Sequence, residues 1–453
     1  MASRCLLFVS AIVVWCDVSV ARRDVHLSAA RYLQLNTDDN ISYFQQLLDH
    51  DGPLSGTTFD QRYVMDDSCF NSSTGPVFLL IGGEGAMGPI EDSGVVYHYV
   101  KRFNALLFQL EHRFYGESWP QHKDMRFLNS QQAVADIANF IQGMRIKYKL
   151  KPSNKWVVFG GSYAGSLAAW ARQKYPELIH AAVSVSAPLV AQVEFREYDD
   201  VVRKAFEAEN ELCAQNVHNA ALQLTDYLRY PVNDRKLMNL FGIYDCPSNW
   251  LIPCFTDAVA ASVLNVVQYN YHTSMTVADV CRIMNDHQDP DLVNRYALVY
   301  RQYHRENNSP VYPEDNTHDD DYSWHYQVCH EFGWLMPSDS QAHLFGESFG
   351  TNYLIYSTCS KFQGFTVQNL YQEVDYTNRL HHGLNLNATR VVSILGSLDP
   401  WTPLGNRPSS PESPVITIPG SSHCEFLVPR LNDSYIQEAI DYVERLLIDW
   451  IRP

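Results

Sequence analysis

The chain of 453 residues is longer than one ordinary domain, so its length calls for two domains or for one core carrying a large insertion. Hydrophobic residues at 46% and charged residues at 19% are globular values, and beyond the N-terminus no run reads as a membrane span. A formal net charge of −17 argues against nucleic acid or an anionic membrane as partner, because both carry the same sign.

Residues 1–21 combine Arg4, an apolar run from Leu6 to Trp15 and the small residues Ser19 and Ala21, the pattern of a cleaved signal peptide. Cys5 and Cys16 would leave with it. Cys69, Cys213, Cys246, Cys254, Cys281, Cys329, Cys359 and Cys424 would remain, an even set that predicts disulfides without fixing their pairing. Sequons at Asn40, Asn71, Asn307, Asn387 and Asn432 are the expected glycosylation sites and agree with a secretory, vesicular or extracellular destination.

After a linker to about Leu35, Ile41–Leu48 and Thr58–Val64 read as short strands around the turn Asp51-Gly52-Pro53. Val77–Ile81 is continuously apolar, as in a strand buried on both faces, and runs into Gly82-Gly83-Glu84-Gly85. Ala105–Leu110 repeats that pattern before Glu111-His112-Arg113-Phe114-Tyr115-Gly116-Glu117-Ser118, where a structural role for His112 is preferred over a catalytic one. Ser130–Tyr148 has helical spacing, with Ser130 as the expected N-cap.

Trp156–Phe159 then leads into Gly160-Gly161-Ser162-Tyr163-Ala164-Gly165 and a helix-forming run. Strand, sharp turn and helix around a serine make a nucleophile elbow, which lifts the hydroxyl clear of the sheet. Ala164 replaces the second glycine of G-x-S-x-G. A phosphate cradle would want a lysine after its last glycine, and Gly165-Ser166-Leu167 has none. Pro176 ends the helix, and Ala181–Ser186 is another buried strand.

The alternation of strand and helix argues for a parallel sheet covered on both faces. From about residue 196 it gives way to helical patterns over Val201–Tyr230, Phe255–Tyr271, Val277–Met284 and Asp291–Tyr303, a helical cap expected to span 196–375. Within it, Glu314–Asp321 reads as a solvated acidic loop. The aromatic stretch Trp324–Trp334 lines a substrate pocket or forms cap core; Trp324, Tyr326 and Glu331, with Trp401 further on, are the pocket candidates. Strands resume at Arg390–Leu395, before Leu398-Asp399-Pro400-Trp401, and at Val415–Ile418, before Ser421-Ser422-His423-Cys424. Ser434–Trp450 is the closing helix.

Asp399 and His423 each follow a late strand, which places serine, aspartate and histidine in α/β-hydrolase order. His423 would take the proton of Ser162 and Asp399 would orient the ring. The backbone N–H of Tyr163 and that of Gly83 or Glu84 would form the oxyanion hole. This chemistry needs no metal and no cofactor.

The elbow, the Glu111–Ser118 stretch, Leu398–Trp401 and Ser422-His423-Cys424 together resemble the S28 serine peptidases, over about residues 40–450. Within that family, Gly82-Gly83-Glu84-Gly85, Ala164 and Ser422-His423-Cys424 look most like the thymus-specific branch. The resemblance implies an α/β-hydrolase core over residues 22–195 and 376–453, the helical cap between, and Ser162, Asp399 and His423 as the triad. It further implies peptide substrates cut near a terminus, often after proline, in acidic vesicles or outside the cell, and a homodimer as one arrangement. Phe426 departs from the aspartate that branch members carry three residues after the histidine. An esterase or a silent binding protein of the same fold are the rival expectations.

Overall fold

The computed structural model describes residues 41–452 apart from 53, 55, 91, 307–319 and 431. The signal-peptide reading, Asn40 and Asn307 lie outside the described residues, as does 314–319 of the acidic stretch.

The chain first lays down β1 (Ile41–Leu47), β2 (Thr58–Asp66), β3 (Val77–Ile81), β4 (Leu106–Leu110), β5 (Trp156–Gly161) and β6 (Ala181–Val185). Two short ribbons follow, β7 (Gln192–Glu194) against β8 (Gly333–Leu335) and β9 (Ser338–Asp339) against β10 (Glu347–Phe349). The chain then returns to the main sheet with β11 (Val391–Gly396) and β12 (Val415–Ile418). That sheet has eight strands in the order β1-β2-β4-β3-β5-β6-β11-β12. β1 and β2 pair antiparallel, as do β2 and β4, and every later pairing is parallel. This is the α/β-hydrolase core.

Its layers follow from side-chain alternation along each strand. Val77, Leu79, Trp156 and Val158 face one apolar cluster with Ile137, Ile141 and Leu167, from the helices Ser130–Lys147 and Ser162–Lys174. Phe78, Val157, Phe159 and Val183 face the other, with Tyr99 and Val443 from Val95–Phe103 and Ser434–Ile451. With both faces covered, the central strands read as unbroken apolar runs.

Several expectations are corrected. Asn129 caps the first of these helices, its side chain accepting from Gln132 N–H, whereas Ser130 is already helical. The single helix expected over Val201–Tyr230 is two, Glu197–Glu209 and Glu211–Leu228, because the extended Asn210 ends one and caps the next through Cys213 N–H. Asp320 and Asp321 belong to the helix Asp320–Gln327. Asp320 is no solvated loop residue: its carboxylate accepts from the N–H groups of Ala86 and Gly116, 2.8 Å each. Ser248–Gln268 is long and apolar enough to cross a bilayer, contrary to the sequence reading, but 67% of its apolar 18-residue window is buried inside the fold. That is the pattern of a core helix.

Disulfides Cys213–Cys281, Cys246–Cys254 and Cys329–Cys359 all lie among the helices between β6 and β11, and Cys69 is free. The largest of these loops spans 68 residues, so its closure removes the most disorder from the unfolded chain.

Candidate active site

The parallel register aligns the C-terminal ends of the central strands: Gly161 pairs with Val185 and Gly396 with Ile418. Functional groups of α/β sheets gather beyond such ends. Ser162 follows β5 directly, Asp399 lies just past β11, and His423 lies just past β12. The structure brings all three together. His423 Nε2 is 3.0 Å from Ser162 Oγ and His423 Nδ1 is 2.8 Å from Asp399 Oδ1. An ionised carboxylate only accepts, so Nδ1 carries the ring proton and Nε2 offers its lone pair to the serine hydroxyl.

The serine's mount is steric. Ser162 sits at φ +54°, a left-handed conformation that a residue with a Cβ holds only when its surroundings over-determine it. A Cβ on Gly160 would lie 2.1 Å from the Ala164 carbonyl oxygen, so glycine is obligatory there. Ala164 itself is buried and in reach of the Gly83 backbone, a fit that explains why alanine serves in place of the second glycine. The Tyr163 N–H falls in the first turn of Ser162–Lys174, where helical N–H groups lack intrahelical acceptors. Gly83, on the loop after β3, lies against Ala164, and that loop, Glu84 included, lines an apolar cavity of about 120 Å³.

Glu111–Ser118 braces these loops. The Glu111 carboxylate accepts from Met87 N–H at 2.8 Å, Ser118 Oγ at 2.6 Å and Glu117 N–H at 3.0 Å, and it pairs with Arg62. Burial raises Glu111 above the usual carboxylate range, with Arg62 pulling against it. Arg113, fully buried, spends its five N–H groups on Asp136 twice and on the Leu47, Leu48 and Phe127 carbonyls. His112 Nδ1 bonds the Arg113 carbonyl at 2.7 Å, and Nε2 lies 3.1 Å from the Tyr163 hydroxyl. Burial depresses His112 to about 4, so it stays neutral.

The histidine's mount is assembled from remote pieces. A Cβ on Gly396 would lie 2.3 Å from the Ser421 carbonyl oxygen; glycine lets the two late loops pass this closely. Asp399 Oδ1 also accepts from Trp401 N–H at 2.9 Å. Cys424 N–H donates to Ser186 Oγ at 2.9 Å, and Ser422 N–H to the buried Glu425 at 2.8 Å. Gln268 joins both loops. Its carbonyl accepts from His423 N–H at 2.9 Å, and its Oε1 accepts from Trp401 Nε1 at 3.1 Å and Tyr198 OH at 2.6 Å. Sequence reading missed Gln268; the only signal was an amide ending the mostly apolar run Val263-Leu264-Asn265-Val266-Val267 of a buried helix, where Asn265 offers the same residue class.

The four pocket candidates separate. Trp401 is buried with its ring 6.2 Å from that of His423. Trp324 is 1% exposed and packs on Tyr163 and Trp334, inside the aromatic core. Tyr326 and Glu331 line a different cleft of about 330 Å³, with Arg126, His330 and Glu373. Of the sequons, Asn71, Asn387 and Asn432 are exposed.

The model of the serine carboxypeptidase S28 family matches residues 46–435. A Caenorhabditis elegans serine-protease relative, K12H4.7, is 32% identical, covering 91% of this chain and 89% of its own. Mouse thymus-specific serine protease is 31% identical with 90% and 87% covered, and mouse lysosomal Pro-X carboxypeptidase 23% identical with 89% and 88% covered. The chain belongs to the S28 family and is a serine-type peptidase.

Proposed function

We propose that this peptidase removes residues from peptide termini, with proline favoured at P1, by a Ser162–His423–Asp399 triad and an acyl-enzyme. The observation that carries the reading is the unbroken hydrogen-bond line from Asp399 Oδ1 through the His423 ring to Ser162 Oγ. His423 Nε2 takes the hydroxyl proton as Oγ attacks the scissile carbonyl. The oxyanion of the tetrahedral intermediate is received by the N–H of Tyr163 and that of Gly83 or Glu84. His423 then returns its proton to the leaving amine, and water hydrolyses the ester by the same steps.

Terminal cleavage rests on the similarity to lysosomal Pro-X carboxypeptidase. A preference for proline rests on the similarity to Pro-X carboxypeptidase. The disulfides and the exposed sequons at Asn71, Asn387 and Asn432 support a secretory or lysosomal location.

The test is mass spectrometry of a mixed peptide library digested at about pH 5 and pH 7 by wild type and Ser162→Ala. Serine-dependent loss of single C-terminal residues after proline is the carboxypeptidase outcome, and release of N-terminal dipeptides the dipeptidyl-peptidase outcome. Internal cleavage would overturn the terminal restriction, and undiminished cleavage by Ser162→Ala would overturn the triad.

A further inference from the structure

The helix that carries Ser162 is braced along one face by a continuous buried polar chain. Gln327 Nε2 donates to the Tyr163 hydroxyl at 3.0 Å and to Glu331 Oε2 at 3.4 Å, while its Oε1 accepts from Tyr115 OH at 2.6 Å. Glu331 Oε1 accepts from Ser130 N–H at 2.8 Å and bonds the Ser130 hydroxyl. Ser130 Oγ lies 2.7 Å from His381 Nε2, and the His381 ring stacks on Trp170 with centroids 3.8 Å apart.

Tyr163 and Trp170 are two turns apart on one face of the helix Ser162–Lys174. The chain therefore leaves that helix beside the serine and returns to it at Trp170, with Glu331 in the middle. Phe332, next to Glu331, packs against both rings, 5.2 Å from Tyr163 and 6.4 Å from Trp170. Glu331 and Phe332 sit in a π-helical turn, Val328–Phe332, which the Cys329–Cys359 disulfide ties down. Such turns are enriched at functional sites.

The donors can be assigned. His112 Nδ1 faces a carbonyl and holds the ring proton, so Tyr163 donates to His112 Nε2 and accepts from Gln327. Only the far end can reverse. With Glu331 ionised, His381 donates to Ser130 and Ser130 to the carboxylate. With Glu331 protonated, the acid donates to Ser130 Oγ and Ser130 to the other tautomer of His381.

We propose that Glu331 is a positioning residue for the reaction: its carboxylate form holds Gln327, and through it Tyr163 and the nucleophile, and its protonation slackens that hold. The proposal rests on Ser162 being the nucleophile. Hydrogen bonds to a carboxylate are about twice as strong as those to a neutral acid, so ionisation tightens the bonds that Ser130 and Gln327 donate to Glu331.

Burial lifts Glu331 to about 7, against the Ser130 and Gln327 bonds that pull it down, with Glu373 pushing further up. On its own segment His330 and Tyr326 flank it; the helix Val367–His381 presents Glu373 and His381. The helix of Ser130 presents Asp136, already paired with Arg113 and His50, and Tyr115 and Tyr163 face it beyond Gln327. Arg126 lines the cleft, yet no ion pair to Glu331 occurs among the described residues. Burial, with Lys174 and His382, holds His381 near 3 and therefore neutral. The cleft of about 330 Å³ opens beside the carboxyl and gives protons a route to it.

The experiment is the rate of labelling by a fluorophosphonate, a serine-directed reagent, from pH 5 to pH 9. Wild type, Glu331→Gln, Ser130→Ala and Ser162→Ala are compared, each checked for folding by its thermal melt. Wild-type labelling is expected to drop by about threefold to tenfold, the weight of one hydrogen bond, as Glu331 becomes protonated. Glu331→Gln should label at the lower level and lack that step. Ser130→Ala removes a bond that favours the carboxylate and should move the step to higher pH. A step persisting in Glu331→Gln, or an unmoved step in Ser130→Ala, overturns the proposal. Undiminished labelling of Ser162→Ala would instead overturn the nucleophile assignment.

Discussion

Ser162 and His423 meet at 3.0 Å but are held in opposite ways. The serine's mount is a contiguous strand, turn and helix, β5 into Ser162–Lys174, whose geometry is enforced by backbone atoms with nowhere to go. The histidine's mount has little local enforcement. Its loop is hung on Gln268, Ser186 and Glu425, of which the first comes from the far end of an apolar helix in the region between β6 and β11. Steric mounts fail abruptly and at single atoms, whereas hydrogen-bonded mounts fail by degrees and can be tuned.

The sharpest break is Gly160→Ala. The added Cβ meets a carbonyl oxygen at 2.1 Å, and no flexible side chain is there to yield. The elbow must open, and displacement of the nucleophile by about 1 Å costs roughly a hundredfold or more in kcat. Wild-type turnover in this variant would show that the mount is not steric.

Gln268→Leu tests the other mount and should act more mildly. It keeps the backbone carbonyl that holds His423 N–H but takes the side-chain acceptor away from the buried Trp401 Nε1 and removes one partner of the Tyr198 hydroxyl. A buried donor that loses its acceptor costs about 1–3 kcal/mol. Denaturant unfolding should show a loss of that order, with kcat down about tenfold and KM little changed.

The smallest effect at neutral pH is expected from His381→Phe, which keeps the stack on Trp170. Behind the serine's steric mount, the helix packs on two buried imidazoles, His112 held at about 4 and His381 at about 3. The unfolded chain takes up protons near 6.5 and the folded chain does not, so each imidazole's contribution is complete above 6.5 and is lost on acidification. Glu331 at about 7 and Asp199 at about 6 act with the opposite sign, since the folded chain retains protons that the unfolded chain releases. Removing His381 should therefore flatten the acid loss of stability by roughly 3 kcal/mol between pH 6.5 and pH 4, read from unfolding midpoints. An unchanged slope would place the acid sensitivity elsewhere.

Legibility in the sequence follows the same division. The elbow could be read because strand, glycine, serine and helix are adjacent and each residue type has a local steric reason. The order of Ser162, Asp399 and His423 could be read because each follows a strand that local pattern reveals. Asn210 was missed as a break because the apolar spacing continues across it, and capping by one side chain leaves little trace in periodicity. Asp320 passed for part of a solvated acidic run because its partners, the N–H groups of Ala86 and Gly116, lie more than 200 residues away.

The sequence by itself determined the strand and helix periods, the buried faces of the central strands and the conformation of the elbow. These depend on neighbours a few residues apart, where sterics and side-chain alternation act without knowledge of the fold. Only the tertiary structure decided that Gln268 would join the two late loops and that Glu331, a candidate for the pocket, would sit inside a brace. Hydrogen bonds between distant segments have no period in the chain, because a buried donor accepts whichever partner the packing of the layers brings to it.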